Sequence, residues 1–431
     1  SRIHNDSTTV KACGRIPGRT KTGLELKNGN SKDHRPDLKQ LVYNLSITAD
    51  GGVPVHHRCY PGNRTDDTLH IEVWNTLCSM YGSSDFLYVA DSKLCTTKQL
   101  QHISINHGKA ITIIPETWKE TKEFKDELRH TAKAKKEIWR RLKPGSDTER
   151  EYFSAYQGDY RTHKGGYRIH WIYSSEKRKR DRKSREKKLQ KAERDLLELN
   201  SKLNQRNFKT QEEIERAAET ILTVHKVKNL IRLDISSTQE EETVQIGRGR
   251  PGKNTKYKTI KRTFYTLGWS RNRKAIKTES RVDGVFPLLS TDAELSAAEV
   301  LKAYKYQPRL EKRFCQFKWV HKAAPLLFKK IERVEANMFA FFVSLIIQAL
   351  IEREIRNKMK EKDIESLPIY PEEREAVHPT TTKILRLFEE VFTYKVVEKN
   401  RIIETFRDEL TKTQKHILKL LNIPEENYWI A

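Results

Sequence analysis

The sequence predicts an α/β protein: a mixed-sheet core, interrupted by a large basic insertion and followed by a helical C-terminal region. Three observations carry this. Strand-like and helical segments alternate up to about residue 116, the densest run of charge sits at 177–194, and helical periodicity dominates after 326. The expected divisions are 1–116 for the first part of the core, 117–280 for the insertion, 281–325 for the last core strand and the helix of Glu311, and 326–431 for the C-terminal region.

In the first part, Leu41–Thr48 (LVYNLSIT) and Val53–Tyr60 (VPVHHRCY) are rich in β-branched and aromatic residues and read as strands. Ala49-Asp50-Gly51-Gly52 between them is a hairpin turn. Thr65–Tyr81 repeats Leu69, Val73, Trp74 and Leu77 at helical spacing. Phe86–Ala90 is a short buried strand ending at Asp91, Thr96–Asn106 a helix, and Ala110–Ile114 a further strand. Asp6, in IHNDSTTV, also sits in a β-branched strand, as one acid among hydroxyls.

The Lys/Glu-rich stretch 117–143 reads as helical and YRIHWIY (167–173) as a strand. Of the eighteen residues 177–194, eleven are Lys or Arg and three are acids, a net of +8. Leu189, Leu196 and Leu203 at heptad spacing, with Leu199 between, extend this block into a two-helix arm through residue 223. Strands return at 228–235 and 260–268, then at GVFPLL (284–289), where Ser290-Thr291-Asp292 caps a helix from about Leu295. The apolar run Met338–Leu350 is too short for the roughly 20 residues of a spanning helix, so it reads as a core helix.

With 83 Lys and Arg against 58 Asp and Glu, the chain carries +25 and has a pI near 9.7. Such an excess repels itself, so a polyanionic partner is the natural reading and an anionic membrane surface the lesser one. The five cysteines (Cys13, Cys59, Cys78, Cys95, Cys315) are odd in number and lack a C-x-x-C pair, which points away from a zinc site or disulfide framework and toward a reducing compartment. The chain opens at Ser1 with neither Met nor a signal-peptide pattern, so it reads as a piece or a processed product.

The candidate chemistry rests on carboxylates. Asp91 follows a strand at its carboxyl end, where open α/β sheets gather ligands. Tyr304, Glu311 and Lys318 are spaced by seven and would share one stripe of a helix, either a solvated face or a mixed phenol, carboxylate and ammonium surface. Pro308 lies inside that stretch and suits the first position of a restarted helix with Gln307 as its cap. Three carboxylates such as Asp6, Asp91 and Glu311 can bind two Mg²⁺ ions through hard oxygens and serve an in-line phosphoryl transfer. Asp33, Asp37, Asp50, Asp66 and Asp67 read instead as turn or capping residues, and His56, His57, His102 and His107 lack ligand spacing.

The segment NSKDHRPDLKQLVYNLSITADGGVPVHHRCYPGNRTD (30–66) resembles the transposases of bacterial and archaeal insertion sequences. These are Asp-Asp-Glu enzymes with an RNase H-like core and a Tyr/Arg/Glu/Lys signature. The resemblance continues through APLLFKKIERVEANMFAFFVSLIIQALIEREIR (324–356), YPEER (370–374) and LTKTQKHILKLL (410–421), and so covers nearly the whole chain. It implies that Asp6, Asp91 and Glu311 are catalytic metal ligands for two Mg²⁺ or Mn²⁺ ions. Tyr304, Gln307 and Lys318 would then lie along the DNA phosphates. Gln307 stands where the family has Arg, and Ser92-Lys93 follows Asp91 where the family has Arg-Gly. The implied partners are double-stranded DNA, as element ends and target, and a second copy of the chain, in a bacterial or archaeal cytoplasm at the nucleoid. A remnant that binds DNA without cutting it, and a metal-dependent nuclease on the same core, are the alternatives.

Within the insertion, Gly247-Arg248-Gly249-Arg250-Pro251-Gly252-Lys253 contains Arg-Gly-Arg-Pro, the core of an AT-hook that lays Arg248 and Arg250 along an A·T minor groove, or else a flexible basic turn. The same residues match G-x-G-x-x-G, but no preceding strand and following helix support a dinucleotide site.

Overall fold

The computed structural model describes the chain except Arg15, Asp66, Asp67, Pro144, Gly145, Asp147, Arg206, Asn207, Ile430 and Ala431; the turn or capping roles expected of Asp66 and Asp67 lie outside the described residues. Two compact units divide it. One comprises Ser1–Ile113, Arg161–Arg168 and Leu288–Ala431, the other Ile114–Tyr160 and Ile169–Pro287.

The first unit begins with β1 (Arg2–Lys11), β2 (Gln40–Thr48), β3 (Pro54–Pro61), α1 (His70–Tyr81), β4 (Leu87–Val89), α2 (Thr97–Ile105) and β5 (Lys109–Ile113). These follow the expected elements closely. In the sheet the order is β3-β2-β1-β4-β5, with β1, β2 and β3 antiparallel and β1, β4 and β5 parallel. The turn between β2 and β3 needs Gly51 and Gly52, whose φ angles of 76° and 66° fall in the left-handed region. Central β1 is buried along most of its length, including Asn5, Ser7, Thr8 and Thr9, so polar side chains there must find partners.

The second unit contains α3 (Lys119–His130), β6 (Lys135–Leu142), β7 (Arg150–Tyr156), β8 (Tyr160–Arg161), β9 (Arg168–Ser174), α4 (Ser175–Ser201), α5 (Gln211–Val224), β10 (Ile231–Gln245), β11 (Tyr257–Arg271) and α6 (Arg273–Glu279). Here the expected helix over 117–143 is corrected, since it ends at His130 and residues 135–142 form a strand. Its Lys and Arg are those of a charged strand: β6 pairs with β7 alone among the described strands, and Trp139 stacks on Phe153 at 5.2 Å. The two-helix arm exists, with Leu189, Leu196, Leu199 and Leu203 facing Ile214, Ala218 and Leu222. It is more than a helix pair, because Ile231 and Leu267 of the β10–β11 hairpin enter the same core.

The chain returns through β12 (Val285–Ser290) to α7 (Ala297–Tyr304), α8 (Pro308–Cys315), α9 (Ile331–Glu361), α10 (Thr381–Arg386), β13 (Thr393–Glu398), β14 (Arg401–Arg407), α11 (Lys412–Leu420) and α12 (Glu425–Tyr428). The cap of α7 is Ser296, which forms a capping box with Glu299, rather than Ser290-Thr291-Asp292. Those residues instead close the strand edge, Thr291 Oγ1 accepting from the Ala110 amide at 2.8 Å. The expected single stripe from Tyr304 to Lys318 is broken. Tyr304 ends one helix, Pro308 opens the next with Gln307 as a backbone cap, and Gln316–Val320 is a π-helical turn.

Helix α9 outruns the expected 338–350, reaching 31 residues. Its length and its mean hydropathy of 1.9 over the most apolar 18-residue stretch would allow it to cross a membrane. Within this unit, however, Met338, Phe342 and Leu345 are buried in the same core as Tyr43, Leu45 and Ile47 of β2, while Phe339 and Ile347 stay exposed at 57% and 54%. The C-terminal region is less helical than expected, because β13 and β14 form a hairpin. Its turn, Lys399-Asn400, has φ of 47° and 63°, and β-branched residues flank it.

Candidate catalytic site

The register between β1 and β4 decides where the first two acids stand. It pairs Arg2 with Leu87, Ile3 with Tyr88 and His4 with Val89, in parallel. Asp6 lies two residues past the last of these pairs on β1, and Asp91 two residues past the end of β4, so both stand just beyond the point where the two strands stop pairing. At this place the connections diverge, β1 leading to β2 on one side and β4 to β5 on the other, and open α/β sheets gather ligands at such points.

Tyr304 reports the third acid. Its half-buried phenol is pushed well above the usual range, first by burial and then by the charges of Asp91, Asp6 and Glu311. The hydroxyl therefore stays protonated at neutral pH and can donate. Glu311 is exposed in the first turn of α8, a position that suits an acid.

Each aspartate is held by its own surroundings. Asp6 Oδ1 accepts from the Ser7 amide at 2.7 Å and from Lys32 Nζ at 3.5 Å. Lys32 Nζ also donates to the Ser7 carbonyl at 2.5 Å and to Ser7 Oγ at 3.2 Å. Asp91 Oδ1 accepts from the Lys93 amide at 2.9 Å, and its carbonyl accepts from the Thr112 hydroxyl at 2.6 Å. Beside Asp6, buried Asn5 donates to Asn44 Oδ1 at 2.7 Å and Ser46 Oγ at 2.9 Å. Side chains alternate along a strand, so pinning Asn5 to β2 sends Asp6 to the other face.

Gln307 borders the residue before Asp6, and Lys318 is tied to Asp33, the residue after Lys32. Lys318 Nζ donates to Asp33 Oδ1 at 2.8 Å, so Asp33 does more than close a turn. Gln307 Nε2 donates to the Asn5 carbonyl at 3.1 Å, and its Oε1 lies 3.1 Å from His4 Nδ1. Arg248 and Arg250 belong to the other unit, exposed between β10 and β11.

Lys32, Asp33, His4 and Asn5 escaped the sequence reading. Lys32 and Asp33 do lie in the 30–66 segment, but nothing in their spacing reveals that one meets Asp6 and the other Lys318. His56 and His57 remain without a ligand role here. His57 lies 4.4 Å from Phe342 ring to ring, and burial lowers both pKa values to about 4.

Three carboxylates are hard-oxygen donors and suit Mg²⁺ or Mn²⁺. Among the described residues, however, no group of three or more His, Cys, Asp or Glu stands close enough together to hold a metal ion. Carboxylates are the right donor type, but the side chains as they stand are not gathered into a group that would hold the ion. No family model and no curated protein matches this chain.

Proposed function

We propose that the chain is an Asp-Asp-Glu DNA transposase, which cuts and joins phosphodiesters at the ends of a mobile element. One observation carries the reading: Asp6 on β1 and Asp91 after β4 both stand just beyond the paired stretch of two adjacent parallel strands, where the connections diverge. The strand order β3-β2-β1-β4-β5, with its antiparallel and parallel halves, supports an RNase H-like core. The long span between β5 and β12, almost all of it in the second unit, supports the inserted-domain reading.

In this reading Asp6, Asp91 and Glu311 would hold the divalent ions. Such ions, when bound, supply Lewis acidity at the phosphate and activate a hydroxyl at neutral pH. Tyr304 donates a hydrogen bond to a phosphate oxygen, and Lys318 neutralises the adjoining phosphate. Lys32 sets a cation beside the Asp6 carboxylate, 3.5 Å from its Oδ1. A water oxygen bonds to phosphorus as the bond to the 3′-oxygen breaks, leaving a free 3′-hydroxyl and a 5′-phosphate. That hydroxyl next attacks a target phosphodiester, bonding to its phosphorus as the target's own 3′-oxygen leaves, and two protomers pair the two ends.

A second reading, a chain that binds DNA without cutting it, is favoured by Gln307, whose amide is engaged with His4 and Asn5. An oligonucleotide strand-transfer assay with Mg²⁺ or Mn²⁺ separates the readings. Nicking and joining that vanish in Asp6→Asn, Asp91→Asn and Glu311→Gln, while DNA binding persists, support the transposase. Nicking without joining favours a nuclease, and binding without nicking favours the second reading. Undiminished nicking in the three variants rules out the proposed site.

A further inference from the structure

We propose that the β10–β11 hairpin is an arm that presents its tip to the minor groove of A·T-rich double-stranded DNA, a contact separate from the carboxylate site. The two strands pair over fifteen rungs, from Ile231 opposite Arg271 to Gln245 opposite Tyr257, about 50 Å at 3.4 Å per residue. Only the root is packed: Ile231 and Leu267 are buried in the α4–α5 core, with Leu233, Ile235, Tyr265 and Trp269 against it. From Ser236 to Thr243 every residue of β10 is exposed.

Charge is distributed along the arm in a telling way. Its acids are Asp234 near the root and Glu240, Glu241 and Glu242 midway, where Glu241 and Glu242 pair with Lys261 and Arg262 at 3.8 and 2.8 Å. Beyond them Arg248, Arg250, Lys253, Lys256 and Lys258 follow with no acid in 243–263, and none of the five pairs with an acid among the described residues. The compensated middle of the shaft has little attraction for phosphates, so the contact falls on the tip.

The tip is also narrow. A Cβ at Gly247, Gly249 or Gly252 would meet nothing within 4 Å, and Gly247 and Gly249 hold φ of 103° and 133° that side chains resist. Two arginines on a bare backbone fit a groove about 6 Å wide, whose negative potential is greatest where A·T tracts narrow it. A protein or lipid partner would need an apolar anchor. Only Ile246 and Tyr257 flank the tip as exposed large apolar side chains.

The test uses the full chain and 20-base-pair duplexes, one A·T-rich and one G·C-rich, read by fluorescence anisotropy at fixed salt. Arg248→Ala/Arg250→Ala should lose about tenfold or more in affinity for the A·T duplex and under twofold for the G·C duplex. Arg248→Lys/Arg250→Lys keeps the charge and should still lose the A·T preference, because a compact ammonium fits the narrow groove less well than a planar guanidinium. Equal losses on both duplexes, or a lysine variant that behaves as wild type, would show a generic basic turn and overturn the proposal. An unchanged circular dichroism spectrum and melting temperature certify the fold. Running the same titrations on Asp6→Asn makes the result independent of whether the carboxylate site is catalytic.

Discussion

Gln307 donates from Nε2 to the carbonyl of Asn5 at 3.1 Å, which ties the break between α7 and α8 to β1 one residue before Asp6. With Nε2 so committed, Oε1 faces His4 Nδ1 at 3.1 Å and accepts a hydrogen bond from its N–H. The Glu311 helix and the Asp6 strand are thereby joined through one neutral amide.

Replacing that amide should show in both stability and DNA affinity. Gln307→Ala leaves the buried His4 N–H and the Asn5 carbonyl without this partner, at a cost of roughly 1–3 kcal/mol in urea unfolding. Gln307→Arg, the residue of the resembling family, cannot accept from His4 and should lose about 1 kcal/mol. In exchange it gains a cation, so duplex binding should tighten and its salt slope steepen by about 1. An arginine variant with unaltered salt dependence would remove Gln307 from the DNA-facing surface.

His4 makes the fold sensitive to acid. Burial, against the Gln307 hydrogen bond and aided by Arg2, lowers its pKa from 6.5 to about 4. The folded chain therefore binds fewer protons than the unfolded one between these values. Stability is fully present above pH 6.5 and is lost as pH falls toward 4, by up to roughly 3 kcal/mol for this residue. His56 and His57 shift the same way. Urea midpoints measured from pH 7 to 4.5 should fall through this window, and His4→Asn should flatten the decline. A midpoint that holds constant from pH 7 to 5 would contradict buried neutral histidines.

Arg313 and Glu352 form a pair whose side chains are only 5% and 4% exposed, at 3.1 Å. Arg313 also donates to the carbonyls of Gly51 and Gly52 at 3.1 and 3.0 Å, so α8 and α9 together hold the β2–β3 turn. Glu352→Leu strands Arg313 and should cost about 3–5 kcal/mol, whereas Arg313→Met leaves Glu352 with Arg356 at 3.5 Å and should cost less. The double variant should recover part of that loss. Additive losses in a double-mutant cycle would argue against the coupling.

The sequence made β2, β3, α1, β4, α2 and β5 legible because each carries strong periodicity between Gly, Asn or Asp turns, and structure and sequence agree there to within a few residues. Strand β6 was missed because Lys and Glu dominate helices and charged strands alike, and only the pairing of Trp139 with Phe153 separates the two. The β13–β14 hairpin hid inside a region read from its helical neighbours. Asp6, Asp91 and Glu311 could be nominated from residue type and resemblance. That Asp6 and Asp91 fall beside the same pair of strands could not, because it depends on a parallel pairing between segments more than 80 residues apart. Lys32 and Asp33 were invisible for the same reason, since no local pattern encodes a long-range ion pair.

Lys318 offers the most direct test of how DNA would enter the site. Its ammonium is bound to Asp33 at 2.8 Å, with side-chain exposures of 13% and 25%. A phosphate reaching Lys318 must compete with that carboxylate or share the lysine with it. Asp33→Asn should therefore raise duplex affinity severalfold, and Lys318→Ala should lower it. Once the lysine is gone, Asp33 can only repel phosphate, so Asp33→Asn added to Lys318→Ala should regain less than it gains alone. Stability should drop by about 1 kcal/mol in either single variant, a modest loss because the pair lies partly in solvent. If Asp33→Asn leaves DNA affinity unchanged while Lys318→Ala still lowers it, the lysine meets phosphate without leaving Asp33. If neither variant changes affinity, Lys318 serves only to hold the 30–66 segment against α8 and the turn that follows it.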